Sequence, residues 1–267
     1  MSIDSLPTVT LERLLAEAAL QTRVDRKYLL DAGLVSQVLD AIDGQAHVLC
    51  IEGRRTFAYR STYFDTPDLD AFHLAGRGRR RRFKVRTRVY RHSGETWLEV
   101  KTRGPRGTTV KDRLAYDLAD AGRLTPGARD FVAATLEARR VRDVDVAALV
   151  PSLHTAYDRA TLLLSGAGPA SRATIDSGLA WRRPGSPEPV TVPGAAIVET
   201  KGGASPSALD RALWRTRTRP ARVSKYGTGL AVLDDDLPDL KWHRLITRLP
   251  AEKGTAPFSA ARTPLTA

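Results

Sequence analysis

Basic and apolar residues alternate in the segment FKVRTRVY (83–90). Successive side chains of a strand point to opposite faces, so Lys84, Arg86 and Arg88 would share one face of a strand. Arginine offers a planar fork that holds two oxygens of one phosphate, and lysine is a compact point charge. A row of such groups predicts binding of a phosphate-bearing anion.

Seven further segments show the same two-sided pattern, each with one charged face and one apolar or mixed face. They are TRVDRKYLL (22–30), TFAYRSTYFD (56–65), TWLEVKTR (96–103), TTVKDRLAY (108–116), AYDRATLLL (156–164), SRATIDSGLAW (171–181) and GAAIVETKG (194–202). Carboxylates stand among the cations on these faces, at Asp65, Glu99, Asp176 and Glu199. The sequence therefore predicts eight strands and an α+β protein.

Two architectures would satisfy eight strands with one charged face each. In an open antiparallel sheet the charged faces meet water, which is the common case. In a closed barrel the charged faces line a lumen, and eight strands is about the number that leaves room for one ligand. The mixed charges and the strand count favour the closed eight-stranded antiparallel barrel with flanking helices. Because desolvated like charges repel, a cationic lumen predicts a polyanion inside it.

The net charge supports an anionic partner. The 267 residues contain 42 Lys and Arg against 30 Asp and Glu, which gives +12. Fourteen of the cations and three of the acids lie between Arg77 and Arg113. Phosphate, nucleic acid and an acidic lipid surface are the partner classes that such a charge attracts. Aromatic residues make up only 6%, without a nucleic-acid motif, so we expect no nucleic-acid partner.

Other features narrow the class of protein. A single cysteine, Cys50, excludes an internal disulfide framework and a cysteine-built metal site. No apolar run approaches the roughly 18 residues of a membrane helix, and the N-terminus does not resemble a secretory signal. We therefore expect a cytoplasmic protein without a membrane segment in this chain.

The remaining segments predict helices around the sheet. Helical patterns lie at 10–20, 31–42, 66–74, 126–150, 205–216 and from Ser224 onward, and GRGRRRR (76–82) is typical of a loop. We expect one domain over 1–249, with the barrel core at about 22–202 and C-terminal helices within 205–249. Residues 250–267 are expected to be disordered.

Nine short motifs occur in an order that resembles the VTC domain, over roughly residues 20–235. They are RVDRKY (23–28), YFDT (63–66), KVRTRVY (84–90), LEVKTR (98–103), VKDR (110–113), YDR (157–159), RATID (172–176), VETKG (198–202) and VSKY (223–226). The VTC domain is the polyphosphate polymerase module of vacuolar transporter chaperone complexes, and it belongs to the triphosphate tunnel metalloenzymes. The resemblance implies a closed eight-stranded barrel.

The resemblance also implies roles for individual residues. The residues that it implies in catalysis are Arg86, Arg88, Lys101, Lys111, Arg159 and Arg172. Those that it implies in binding phosphate or nucleotide are Lys27, Arg77, Lys201, Arg222, Ser224 and Lys225. Glu199 matches the metal-binding carboxylate, and its oxygens suit Mg²⁺ or Mn²⁺. We expect Asp25, Asp65, Glu99 and Asp176 to orient cations rather than bind metal.

One departure from the superfamily bears on the reaction. The hydrolytic tunnel enzymes begin with E-x-E-x-K, whereas this chain has Arg23-x-Asp25-x-Lys27. Fewer carboxylates and more cations suit holding a long phosphate chain better than hydrolysing a triphosphate with two metals. We therefore expect a metal-dependent polymerase that uses ATP and polyphosphate. The alternatives are a module that binds polyphosphate, pyrophosphate or inositol phosphates without chemistry, and a triphosphate hydrolase. The sequence leaves open whether a partner protein supplies the acceptor.

Overall fold

The computed structural model describes residues 1–18, 24–104, 108–166 and 168–253. The helices are α1 (Leu11–Glu17), α2 (Gly33–Asp40), α3 (Asp70–Gly76), α4 (Pro126–Ala138), α5 (Ala208–Arg215), α6 (Lys225–Leu233) and α7 (His243–Ile246). The strands are β1 (Thr8–Val9), β2 (Val24–Asp31), β3 (Ala46–Leu49), β4 (Thr56–Asp65), β5 (Phe83–Tyr90), β6 (Thr96–Arg103), β7 (Thr109–Ala115), β8 (Val150–Leu164), β9 (Ser171–Arg182), β10 (Val190–Thr191), β11 (Ala195–Gly202) and β12 (Glu252–Lys253). Short 3-10 helices lie at Ile3–Ser5, Leu118–Asp120 and Leu240–Trp242.

Eight of these strands form one antiparallel sheet in the order β2-β11-β9-β8-β4-β5-β6-β7. They are the eight segments that alternation predicts, and the α+β class is confirmed. The short strands β1, β3, β10 and β12 extend the sheet along β8 and β9. Side chains from all eight long strands line one common cavity, so the sheet curves around it.

The predicted closure of the barrel is wrong, because the sheet is open. Among the described residues, β2 pairs with β11 alone and β7 pairs with β6 alone. A cavity lies between these two edge strands and is lined by Asp25 and Lys27 from β2 and by Thr109 from β7. Alternation reveals which face of a strand is charged. Closure also needs a matched tilt and stagger of the edge strands, which alternation does not encode.

Helices cover the outer, apolar face of the sheet. Helices α2 and α5 pack with β2, β8, β9 and β11 around a core that includes Tyr28, Leu162 and Leu213. Helix α4 packs against β6, with Val132 in the same core as Leu98. Burial of these side chains contributes roughly 1.5–3 kcal/mol each. The charged faces are thereby left toward the inside of the curve.

Helix α6 packs against β8 and β9 and begins beside the common cavity. A Cβ atom at Gly227 would overlap the ring of Trp242, and one at Gly229 would overlap the ring of Trp181. Glycine is therefore required where the helix backbone meets these two rings. Ser224, the predicted start, caps the helix by accepting a hydrogen bond from the Gly227 amide at 3.0 Å.

Two helices are shorter than their sequence patterns. Helix α3 begins at Asp70 rather than Thr66, because the carboxylate of Asp65 accepts the amide N–H groups of Ala71 and Phe72 at 2.8 and 3.0 Å. The expectation that Asp65 orients a cation is therefore wrong, because its carboxylate binds backbone amides of α3. Helix α4 ends at Ala138, followed by Arg140 at a φ of 55°.

Several expectations fall partly or wholly outside the described residues. Helix α1 ends at Glu17, whereas the predicted helix extends to residue 20, and residues 19–23 are not described. Arg23 of the first motif lies in that gap, and most of the tail predicted from Pro250 lies beyond residue 253. The single domain over 1–249 stays a prediction. No helix of the described part of the chain has the length and apolar character needed to cross a membrane.

Candidate functional site

The common cavity enclosed by the curved sheet, here called the tunnel cavity, has a volume of about 500 Å³. Eleven of the thirteen predicted site residues line it: Lys27, Arg86, Arg88, Lys101, Lys111, Arg159, Arg172, Glu199, Lys201, Ser224 and Lys225. They come from β2, β5, β6, β7, β8, β9, β11 and the beginning of α6. Because the inward-facing residues of separate strands line one cavity, residues as far apart in the sequence as Lys27 and Lys225 lie in the same site.

A second cavity of about 720 Å³, here called the mouth, adjoins the first. The two share Lys27, Lys84, Lys101 and Ser224 in their linings. Further cations line the mouth at Arg80, Arg82, Arg103, Arg222 and Lys241. A long anion could therefore pass from one cavity to the other without leaving cationic surroundings.

The predicted residue Arg222 lies in the mouth, and Arg77 lines neither cavity. Arg77 is the exposed residue that follows α3, while Arg80 and Arg82 from the same basic run line the mouth. Their phosphate contacts stay predictions.

The tunnel cavity carries an excess of positive charge. Ten lysines and arginines line it, together with Asp25 and Glu199. Two further carboxylates, Glu99 and Asp176, are buried behind the lining and pair with its arginines. Counted formally, ten cations against four carboxylates leave an excess of six positive charges.

Glu99 fixes one arginine of the cavity. Strand register places it directly opposite Arg86, whose Nε donates to Glu99 Oε2 at 2.7 Å. Arg86 Nη1 donates to the hydroxyl of Tyr63 at 2.9 Å, and Lys111 Nζ lies 3.4 Å from Glu99 Oε1. Burial alone would raise the pKa of Glu99, but attraction to Arg86 and the neighbouring cations holds it well below the usual range. Glu99 is therefore an ionised anchor that orients Arg86.

Asp176 fixes a second arginine in the same way. It is the cross-strand neighbour of Arg159, which forms a bidentate pair through Nε at 2.6 Å and Nη2 at 2.8 Å. Lys225 Nζ also donates to Asp176. The carboxylate is fully buried, and these cations lower its pKa despite the burial. The contact of Lys225 with Asp176 connects the beginning of α6 to the sheet.

Tyrosine rings hold the guanidinium groups from the side. The rings of Tyr59 and Tyr157 are parallel with centroids 5.4 Å apart, and Arg159 lies 5.3 and 5.2 Å from them. Arg88 lies 5.3 Å from the Tyr59 ring and donates to the Tyr157 hydroxyl at 2.9 Å. Burial raises the pKa of Tyr59 to about 12, so its hydroxyl stays protonated. The contact of Tyr59 with these arginines could not be predicted from the sequence, because a tyrosine on a strand is equally typical of an ordinary hydrophobic core.

Two lysines of the cavity lack a carboxylate partner among the described residues. Lys84 Nζ donates to Ser224 Oγ at 2.9 Å, and burial together with Lys241 and other cations lowers its pKa to about 7. Lys101 makes no hydrogen bond or ion pair within that part of the chain, and burial and Arg86 hold its pKa well below the usual range. Lys84 was not among the predicted site residues, although its alternation with Arg86 and Arg88 was the available signal. A bound anion would stabilise the charged form of both lysines.

Glu199 has lysines on both sides of it. Lys27 Nζ lies 2.5 Å from Oε1, in direct cross-strand register, and Lys201 Nζ lies 3.1 Å from Oε2. Attraction to Lys27 and Lys201 keeps the pKa of Glu199 well below the usual range, against the effect of burial. Burial lowers the pKa of Lys201 to about 8, so Glu199 only partly offsets its desolvation.

The donor set for a metal is small. The described residues contain no group of three or more His, Cys, Asp or Glu side chains that could hold a metal ion. Glu199 fits Mg²⁺ or Mn²⁺ as one ligand beside substrate phosphate oxygens, which is the usual coordination of Mg²⁺ with nucleotides. Within the described residues, an ion would therefore find single carboxylates such as Glu199 rather than a complete cage.

The comparison with solved structures found matches that include two proteins described as putative adenylate cyclases. A putative adenylyl cyclase from Hippeastrum, described as having a dominant triphosphatase activity, is 14% identical at a TM-score of 0.47, over 82% of this chain and 99% of that one. A putative adenylate cyclase from Vibrio parahaemolyticus is 14% identical at a TM-score of 0.36, over 74% and 83%. A conserved hypothetical protein from Pyrococcus furiosus is 11% identical at a TM-score of 0.37, over 73% and 88%.

The search of curated proteins found no match. The family comparison did find one: the model of the VTC domain matches residues 22–234, which include all eight long strands and α6. That range also contains the thirteen residues predicted from the motifs. This protein belongs to the VTC domain family.

Proposed function

We propose that the protein is a metal-dependent polyphosphate polymerase. A terminal oxygen of the polyphosphate chain attacks the γ-phosphorus of ATP, the bond from that phosphorus to the β–γ bridging oxygen breaks, and ADP leaves with the electron pair. The observation that carries the proposal is the surplus of six positive charges in a cavity that continues into a second basic cavity. Membership of the VTC domain family supports it.

The arrangement of the cations suits phosphoryl transfer. This reaction depends mainly on positioning and on neutralising charge on the phosphate oxygens. Arg86 and Arg159 are held by buried carboxylates, so their guanidinium groups can bind phosphate with little loss of freedom. Lys101 lines the cavity without an ion pair to a carboxylate of the described residues, so its amino group is available to a phosphate oxygen.

Glu199 would hold Mg²⁺ or Mn²⁺ together with phosphate oxygens. When bound, such an ion would add neutralising charge at the transferred phosphoryl group. Lys27 and Lys201 would then move from Glu199 toward phosphate oxygens, since ammonium groups and a cation compete for the same carboxylate.

The test is to incubate the purified protein with ATP and Mn²⁺ or Mg²⁺ and to measure long-chain polyphosphate and ADP together. We expect one ADP for each phosphate added to the chain, with loss of product in Glu199→Ala and in Lys101→Met. Arg81→Gln, in the exposed run before β5, is the matched control and should keep full activity. Orthophosphate in place of polyphosphate would instead identify a hydrolase.

A non-catalytic binding module is the second candidate, and the two lysines on Glu199 favour it. A carboxylate already paired with two ammonium groups has less need of a metal. This candidate predicts tight polyphosphate binding that chelation by EDTA does not change, with no nucleotide turnover. Binding that strengthens with Mn²⁺, together with ATP turnover, would exclude it.

A further inference from the structure

A second group of cations lies on the opposite, outer face of the same sheet. A cavity of about 250 Å³, here called the outer pocket, is lined by Arg60, Arg91, Arg182 and His154. Residues after the 3-10 helix at Leu118–Asp120 line its other side. Among the described residues, no aspartate or glutamate lines this pocket. The charged side chains of its described lining are therefore all arginines.

Strand alternation separates the two sites. On β4, Tyr59 and Tyr63 line the tunnel cavity, so Arg60 between them points to the outer face. On β9, Arg172 lines the tunnel cavity, and regular alternation would place Arg182 there too. The register of β8 and β9 shifts beside Gly178, whose φ is 59°, and Arg182 pairs opposite His154 on the outer side.

The arginines of the outer pocket are close enough to repel one another. Burial lowers the pKa of Arg60, and the charges of Arg91 and Arg182 lower it further. Burial and Arg182 also lower the pKa of His154. The His154 ring is held by Thr62, whose Oγ1 lies 3.1 Å from Nδ1. A bound anion would offset the repulsion among these three guanidinium groups.

We propose that the outer pocket binds a compact inorganic phosphate anion, orthophosphate or pyrophosphate, independently of the tunnel cavity. Guanidinium forks match phosphate oxygens two at a time, and three of them converge here. The volume is below the roughly 300–1,000 Å³ of pockets for larger organic ligands, which favours a compact anion over a nucleotide. The site does not depend on the proposed polymerase activity, because the outer pocket and the tunnel cavity share no lining residue.

Arginine footprinting tests this proposal at the level of single residues. The protein is treated with phenylglyoxal with and without pyrophosphate, and adducts are counted by peptide mass spectrometry. We expect pyrophosphate to reduce modification of Arg91 and Arg182 at least fivefold, while exposed Arg81 is unaffected. Chloride at the same ionic strength should not protect. Equal modification with and without pyrophosphate, or equal protection by chloride, would overturn the proposal.

Two variants separate the outer pocket from the tunnel cavity. In Lys84→Gln/Lys101→Gln, which weakens the tunnel cavity and the mouth but leaves the outer pocket unchanged, protection of Arg91 and Arg182 should persist at the same pyrophosphate concentration. Loss of protection there would mean that the effect comes from the tunnel, and the proposal fails. In Arg60→Gln, the concentration that half-protects Arg182 should rise about tenfold, and an unchanged midpoint would also refute it. Circular dichroism checks that each variant is folded.

Discussion

The cations of the tunnel cavity fall into two groups that differ in their partners. Arg86 and Arg159 each form a short pair with a buried carboxylate that is their neighbour across the sheet. Lys84 and Lys101 line the same cavity but form no ion pair with a carboxylate of the described residues. The paired arginines define the shape of the site, whereas the charged form of the unpaired lysines becomes favourable when an anion binds.

This difference predicts opposite effects on stability. Removing one member of a buried pair leaves an uncompensated charge, which costs several kcal/mol. Removing an unpaired cation relieves repulsion from its neighbours. The same kind of substitution should therefore destabilise one group and leave the other unchanged or more stable.

The largest effect is expected for Glu99→Gln. It removes the charge that Arg86 and Lys111 share while keeping the size of the side chain. We expect the free energy of unfolding to fall by about 3 kcal/mol, measured by urea denaturation at pH 7. Asp112→Asn is the matched control, because Asp112 pairs with Arg139 at 2.7 Å at the exposed surface and should lose at most about 1 kcal/mol. Equal losses would show that burial of the pair has no special role.

The second effect concerns Lys101→Met. One charge-assisted hydrogen bond contributes roughly 1.5–3 kcal/mol, so we expect affinity for tripolyphosphate to fall about 10- to 100-fold. The free energy of unfolding should stay the same or rise, since burial and the charge of Arg86 make the ammonium form of Lys101 unfavourable. Isothermal titration calorimetry and urea denaturation measure the two quantities. A variant that loses stability and affinity together would place Lys101 in the paired group.

A third prediction uses the pKa of Lys84, which is about 7 in the folded protein and about 10.4 in an unfolded chain. The unfolded state therefore binds more protons between these values, and stability contributed through Lys84 increases as pH rises from about 7 to about 10. A bound polyanion favours the charged form, so binding at pH 8 should take up a proton.

Calorimetry in buffers of different ionisation enthalpy measures that proton. Lys84→Gln should take up less of it and should show a smaller increase in stability with pH. Proton uptake that is identical in the wild type and the variant would assign it to another group, such as Lys201, whose pKa is about 8.

Alternation along each strand was sufficient to predict the eight strands and the residues that face inward. It could not predict whether β2 and β7 meet, because edge pairing depends on tilt and stagger across the whole sheet. It also missed the outward position of Arg182, since the register shift beside Gly178 reverses the faces of β9.

Individual contacts were harder to predict than faces. The expectation that Glu99 and Asp176 orient cations agrees with their pairs, because direct cross-strand neighbours follow from register once the strands are aligned. The position of Lys27 beside Glu199 follows from the same strand register. The motif around Glu199 indicates a metal ligand, and it does not indicate that lysines pair with this carboxylate. Asp65 was misassigned because its amide partners belong to α3, whose first turn the sequence placed four residues too early.

The smallest effect is expected for Arg82, a half-buried residue of the mouth. Arg82 is half-buried, lines the mouth and donates to the carbonyl of Arg79 at 2.9 Å, whereas Arg81 is exposed and lines neither cavity. Such a charge acts mainly on the approach of an anion, so Arg82→Gln should slow association of tripolyphosphate about twofold at low salt. Arg81→Gln should change it less. Stopped-flow measurements at 20 and 300 mM salt would distinguish them, because screening over about a Debye length should abolish the Arg82 effect. An effect of Arg82→Gln that survives high salt would mean direct contact with the anion, and would move Arg82 into the group of unpaired cations that hold the ligand.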